Sequence, residues 1–306
     1  MKVANALLQR LALPALLLAN VSLACGPWMV RLARSQSQIG PIAAGFWRLA
    51  LALPVLLPLA ARTERDRPRP AAAMGVIMLG GVAFAADLGF WHLGILHTRL
   101  SNATLLGNIT ALTFPAYGFL VARALPTGRQ WVALALATLG ALLLLGRSYE
   151  LATGNLLGDL ACIVAGLCYT GYLIALAVAR GAIAPTTTLT LSVLTGAPLL
   201  LALAAAMGEP IWPRDWTPLL LLTLGSQLVG QGLILFAVAR VTPLVVGIML
   251  LIQPIVASVI GLVAYDERLN MADLIGAAAI AAAVLLVRER PRAALPNEPT
   301  RLHSPP

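Results

Sequence analysis

The residues with most scope for chemistry in this chain come as spaced pairs. Asp87 and Trp91 are four positions apart, as are Gln227 and Gln231, so on helices each pair turns toward one face. His92 adjoins the first pair, and Asn20, Asn108, Tyr169, Tyr172 and Gln253 are further polar or amphipathic side chains set in apolar runs. A carboxylate, an imidazole, several amides and aromatic rings suit reversible binding of a small amphipathic molecule, whose apolar part the rings cover while the polar atoms bond the rest. Bond-making chemistry is poorly supplied. The histidines are His92, His97 and His303, no Glu lies within an apolar segment, and HExxH and GxSxG motifs are absent. A Walker loop needs a lysine, and Lys2 is the only one. No catalytic residue, metal site or cofactor is expected, and Cys25, Cys162 and Cys168, all inside apolar runs, read as small hydrophobes.

The elements that position these groups must be membrane helices. The 306 residues are 59% hydrophobic and 11% charged, against about 25% charged in a soluble domain. Such a chain cannot coat a water-exposed surface, and its mean hydropathy of +0.88 agrees. The net charge of +9 is scattered between apolar runs, so it reads as a topology signal and not as a nucleic-acid face. Lys2 and Arg10 ahead of an apolar stretch resemble the start of a secretory or lipoprotein signal. Ser22, standing where a lipoprotein site wants Leu, and the continuation of the stretch through Val30 favour a retained helix.

Charges, Gly and Pro divide the chain into ten apolar segments of near-bilayer length, at about 11–30, 40–61, 72–96, 102–122, 130–145, 156–177, 187–207, 218–237, 242–264 and 272–287. The expected fold is an all-α membrane protein with short connections and a disordered, Pro-rich cytoplasmic tail at 291–306. Fourteen cations, among them Lys2, Arg10, Arg62, Arg65, Arg67 and Arg69, then fall on the side of the N-terminus. Six fall opposite, Arg31, Arg34, Arg99, Arg147, Arg214 and Arg268, so the positive-inside rule puts both termini in the cytoplasm. Trp212 and Trp216 then mark the periplasmic interface.

The chain also looks doubled. Pro54 in ALALPVLLPLA and Pro198 in LTGAPLLLALA have similar settings, and Pro115 is echoed by Pro254. Two tandem halves of five helices each, spanning 1–150 and 151–290, enter the membrane in opposite directions and form an inverted repeat. SQSQIGP leading to FWRLALALP with Arg48, GDLACIVAGLCYTGY at the start of the second half, and QPIVASVIGLVAYDERLNMADLIGAA at its end resemble the drug/metabolite transporter superfamily, in its ten-helix form built from two EamA-type repeats. One departure is plain: Asp266 and Glu267 sit between the last two helices of the second half, whereas the matching ALPTGRQ carries no acid. The length and the WHL segment after Asp87 are most similar to bacterial exporters of aromatic and neutral amino acids.

The resemblance implies a secondary transporter of the bacterial inner membrane that exports small amphipathic metabolites, amino acids first among them, by alternating access. Its partners would be that small molecule and lipid; the oligomeric state is open. The alternatives are a channel or a non-transporting scaffold subunit and, less well supplied with residues, an intramembrane enzyme. The fifth and tenth segments are nearly bare of polar groups, so the path should lie among the others. For each amide a second role competes with lining, that of bonding one helix to the next. Pro115 and Pro254 are expected to kink their helices, freeing carbonyls. Arg48 has a structural role in one reading: it lies about 12 Å into the second helix and Asp87 about 13.5 Å into the third from the same end at 1.5 Å per residue, so the two can pair. In the other, Arg48 snorkels outward and Asp87 alone faces the cavity.

Overall fold

The computed structural model describes residues 8–63, 70–98, 103, 106–146, 154, 156–265 and 271–287. The tail at 291–306, the Asp266 and Glu267 pair, Lys2, Arg99, Arg147 and several other cations counted for topology lie outside them. Every long element is helical, as the lack of polar surface requires: with no water at membrane depth, backbone groups must bond within their own segment. We number the helices α1 (Leu8–Ser37), α2 (Pro41–Thr63), α3 (Ala71–His97), α4 (Thr110–Ala122), α5 (Gly128–Gly146), α6 (Leu156–Ala179), α7 (Pro185–Ala206), α8 (Thr217–Val238), α9 (Pro243–Leu250 and Ile252–Tyr265) and α10 (Met271–Val287). Among the described residues seven of these are long and apolar enough to cross a bilayer, and α4, α5 and α10 are shorter apolar helices.

Four helices depart from uniform α geometry. Helix α1 runs on to Ser37, closing with a π turn at Ala33–Ser37, so the connection expected from residue 31 begins only at Gln38, whose left-handed φ of 55° turns the chain. Helix α2 breaks at Leu51 and Ala52, where Ala52 N–H bonds to Leu49 and skips the Arg48 carbonyl. Pro54, lacking an N–H, leaves the Ala50 carbonyl without its ladder partner. Helix α9 breaks at Leu251 by the same device, with Pro254 four residues beyond Leu250. By contrast, Pro115 and Pro198 stand inside unbroken helices. Each proline pair noted in the sequence therefore splits, one member breaking its helix and the other not. Helix α8 carries a π segment at Thr223–Gln231, and Ser22 of α1 donates to the Gly225 carbonyl there at 2.8 Å.

The two halves interlock through small residues. Helices α4 and α9 cross so closely that a Cβ on Gly247 would collide with the Pro115 ring, and one on Gly118 with Pro243. The proline of each helix thus fills the glycine notch of its counterpart, a reciprocal contact that suits equivalent members of two repeats. Helices α5 and α10 pack against each other where Gly140 meets the Gly276 backbone and Ile280, and Val132, Leu139, Leu274, Ile275 and Leu285 remain exposed on that pair. Helices α3 and α6 form the broadest helix contact: Gly94 seats Cys162, and Gly80 seats Ala175. At the α6 N-terminus, Thr98 donates to Asp159 at 2.6 Å.

Candidate functional site

A polar cluster occupies the middle of the bundle where α2, α3, α6 and α8 meet. Arg48 follows the apolar first turns of α2 and is 8% exposed. Its Nε–H donates to Oε1 of the fully buried Gln227 at 3.3 Å, and its Cζ lies 5.8 Å from the centre of the Phe84 ring. Phe84 stacks on Tyr172 with centroids 4.6 Å apart, and both rings also touch Tyr169. Gln231 closes the circuit from α8 by donating Nε2–H to the Tyr169 hydroxyl at 3.4 Å. The π segment matters here because it carries both glutamines, at 0% and 2% exposure, on its inner face.

The expected direct pairing of Arg48 with Asp87 is not made. Among the described residues neither group forms an ion pair within 4.0 Å, although the two lie in electrostatic range of each other. Matching depth along two helices sets height but not rotation, and the bond to Gln227 ties the guanidinium to α8. Asp87 is half-buried and has no hydrogen bond to a described residue.

The remaining candidates separate into three places. Trp91, one turn beyond Asp87, is half-buried against Gly107, next to Asn108 at the turn that precedes α4. His92 points elsewhere, its ring set against Gly45 of α2, and neither ring nitrogen has a partner among the described residues. Asn20 and Gln253 bind each other: Gln253 Nε2–H donates to Asn20 Oδ1 at 2.9 Å, while Asn20 Nδ2–H donates to the Leu16 carbonyl at 2.8 Å. That joins α1 to α9, the bonding role weighed for the amides. Phe84 escaped the sequence reading, yet it lies three residues before Asp87, a spacing that puts an aromatic ring one turn away on the same face.

A second polar assembly sits at the end of the bundle where α7 joins α8. Glu209 accepts the N–H groups of Ala43 at 2.9 Å and Ile42 at 3.4 Å, capping α2 with a carboxylate where the helix dipole favours negative charge. Gly40 N–H donates to the Pro210 carbonyl at 3.0 Å, Trp47 Nε1–H to the Ile211 carbonyl at 2.6 Å, and Arg214 N–H to the Ser37 carbonyl at 2.9 Å. Trp47 is ringed by Trp212 at 5.4 Å and Trp216 at 4.8 Å. A Cβ on Gly40 would collide with the Glu209 carboxylate, so the close approach requires glycine. Asp215 accepts the Thr217 N–H at 2.9 Å, which holds its carboxyl below the usual carboxylate range. A recess of about 420 Å³ here is lined by Arg34, Gln38 and Glu209 and by no residue of the central cluster.

Comparison with known proteins gives the following. The model of the EamA-like transporter family matches the chain twice, over residues 10–146 and 156–288. No curated protein matches it by sequence. A crystal structure described only as that of a protein superposes with a TM-score of 0.76 at 15% identity, covering 90% of this chain and 96% of its own. That likeness concerns the fold alone.

Proposed function

The chain belongs to the EamA-like transporter family, within the drug/metabolite transporter superfamily, and from that premise we propose that it is a secondary transporter that exports small amphipathic metabolites, aromatic and neutral amino acids first, across a bacterial inner membrane. The observation that carries this reading is the incomplete hydrogen bonding of the central cluster. Gln227 Nε2 and Gln231 Oε1 are buried without a partner among the described residues, as are both nitrogens of His92 beside Gly45. Such atoms are costly in a bundle core unless something else satisfies them, and a transient substrate does so.

In this assignment Asp87, Gln227, Gln231, Tyr169 and Tyr172 contact the substrate directly, while Trp91, His92 and Asn108 shape one wall. Asn20 and Gln253 border the site from α1 and α9. In this reading access alternates between two ends: the clasp of residues 207–216 over α1 and α2 is the closure of one end and opens when the substrate leaves through it. The distribution of cations supports taking that end as the periplasmic one, with both termini cytoplasmic.

The test is transport by purified protein in proteoliposomes. A panel of radiolabelled α-amino acids should show saturable uptake and counterflow, with preloaded unlabelled substrate driving entry of label. Flux that rises linearly with concentration and shows no counterflow would replace the carrier with a channel, and absence of flux for every amino acid would remove the substrate class.

A further inference from the structure

Arg48 and Asp87 carry opposite charges in one buried region and do not touch. The Arg48 guanidinium makes one hydrogen bond to a described residue, through Nε, which leaves both terminal nitrogens available to donate. Because arginine only donates, the Gln227 oxygen must face it, and the Gln227 Nε2–H is then a further unpartnered donor beside the guanidinium. Asp87 offers a carboxylate with no partner among the described residues, Gln231 Oε1 is a further unpartnered acceptor, and both Asp87 and Arg48 lie within electrostatic range of Tyr169. Unpartnered donors thus sit at Arg48 and Gln227 and unpartnered acceptors at Asp87 and Gln231, with Phe84, Tyr169 and Tyr172 as an aromatic wall. Two opposite charges in a weakly polarising interior attract strongly. Here Arg48 bonds Gln227 and makes no ion pair with Asp87 among the described residues, so a molecule that bears both charges can bridge them.

We propose that Arg48 and Asp87 form a zwitterion site, with Arg48 and the Gln227 amide binding the carboxylate of an α-amino acid and Asp87 its ammonium. This rests on reading the central cluster as the substrate site, and it turns Arg48 from a structural residue into a substrate contact. The site selects by charge layout: an amine lacking the carboxylate leaves Arg48 unanswered, and an acid lacking the ammonium leaves Asp87 so.

The experiment is competition against amino-acid counterflow in proteoliposomes, using two matched sets: L-phenylalanine with 2-phenylethylamine and 3-phenylpropionate, and L-leucine with 3-methylbutylamine and 4-methylpentanoate. Each amine and each acid should compete about ten- to a hundredfold more weakly than its amino acid. In R48Q the preference for amino acid over amine should collapse while that over acid persists; in D87N the reverse should hold, and R48K should restore part of the first preference. Equal competition by the single-charge compounds on the unaltered protein overturns the zwitterion site and leaves the transporter reading standing. That comparison decides even if the variants do not fold, which thermal unfolding in detergent reports. Preferences unchanged in folded R48Q and D87N also overturn it, and no counterflow with any amino acid overturns both readings.

Discussion

The clasp around Gly40 and Glu209, partly exposed, and the buried cluster around Arg48 and Gln227 are both polar assemblies, about two turns apart along the same helix. In the clasp nearly every donor meets an acceptor: Gly40, Ile42, Ala43, Trp47 and Arg214 all donate to groups of the neighbouring segment. The Ser37 hydroxyl is the exception. In the cluster the opposite holds, with unpartnered atoms on Gln227 and Gln231 and a carboxylate that bonds no described residue. A satisfied network lowers the energy of one arrangement, whereas an unsatisfied one lowers that of a complex. The first suits a closure and the second suits a binding site.

The sharpest way to break this contrast is to complete the cluster artificially. Gln227→Glu would set a carboxylate against Arg48 and occupy its free donors, so transport should fall at least about tenfold, the loss of a charge-assisted contact, while the unfolding midpoint in detergent stays level or rises. Loss of both stability and transport would mean that the open valences are not the working feature. Removing the cap from the clasp with Glu209→Ala should cost about 1 kcal/mol of the closed arrangement, worth about fivefold in the closed-to-open ratio. The check is labelling of a Gln38→Cys reporter by a membrane-impermeant maleimide, which should quicken; unchanged labelling would show that Glu209 does not hold this end shut.

Trp47→Phe keeps the ring packing but loses the bond to Ile211, a change of about 1 kcal/mol. Its labelling should therefore quicken in the same sense as that of Glu209→Ala, and a slowed reaction would contradict the clasp. The smallest effect belongs to Asp215, half-buried at the head of α8. Its carboxyl is held low in the folded protein by the Thr217 N–H, so the contribution is present above the unfolded carboxylate value and fades as pH falls through the depressed folded value. Asp215→Asn should leave unfolding near neutrality almost unchanged and flatten only the acid limb of its pH profile. A large shift at pH 7 would mean that Asp215 does more than hold the turn into α8.

Much of the architecture was legible because membrane helices announce themselves by composition. The ten apolar segments, the doubling and the family resemblance all followed from runs of small and aliphatic residues punctuated by charge. Local exceptions were less legible. Helix α1 continues to Ser37 through polar ARSQS, which reads as a loop because hydropathy stops there although helical hydrogen bonding does not. Among four prolines only Pro54 and Pro254 break their helices. Pro115 instead lies in the notch of Gly247, and whether a proline interrupts or packs depends on what the neighbouring helix offers.

What the sequence determined by itself was an inventory and a period: an all-helical membrane bundle, and polar groups confined to a few helices at depths that spacing along each helix supplies. What only the tertiary structure decided was who meets whom. Arg48 and Asp87 share a depth, yet Arg48 bonds Gln227, 179 residues away, because the π segment of α8 turns that amide inward and rotation about a helix axis is set by packing. Asn20 and Gln253 find each other across 233 residues for the same reason. Glu209, one acid in a loop that composition leaves featureless, caps α2 only because the interlocked helices bring the α7–α8 connection over its first turn. Height along a helix is local information carried by residue spacing; azimuth and neighbour are properties of the packed whole.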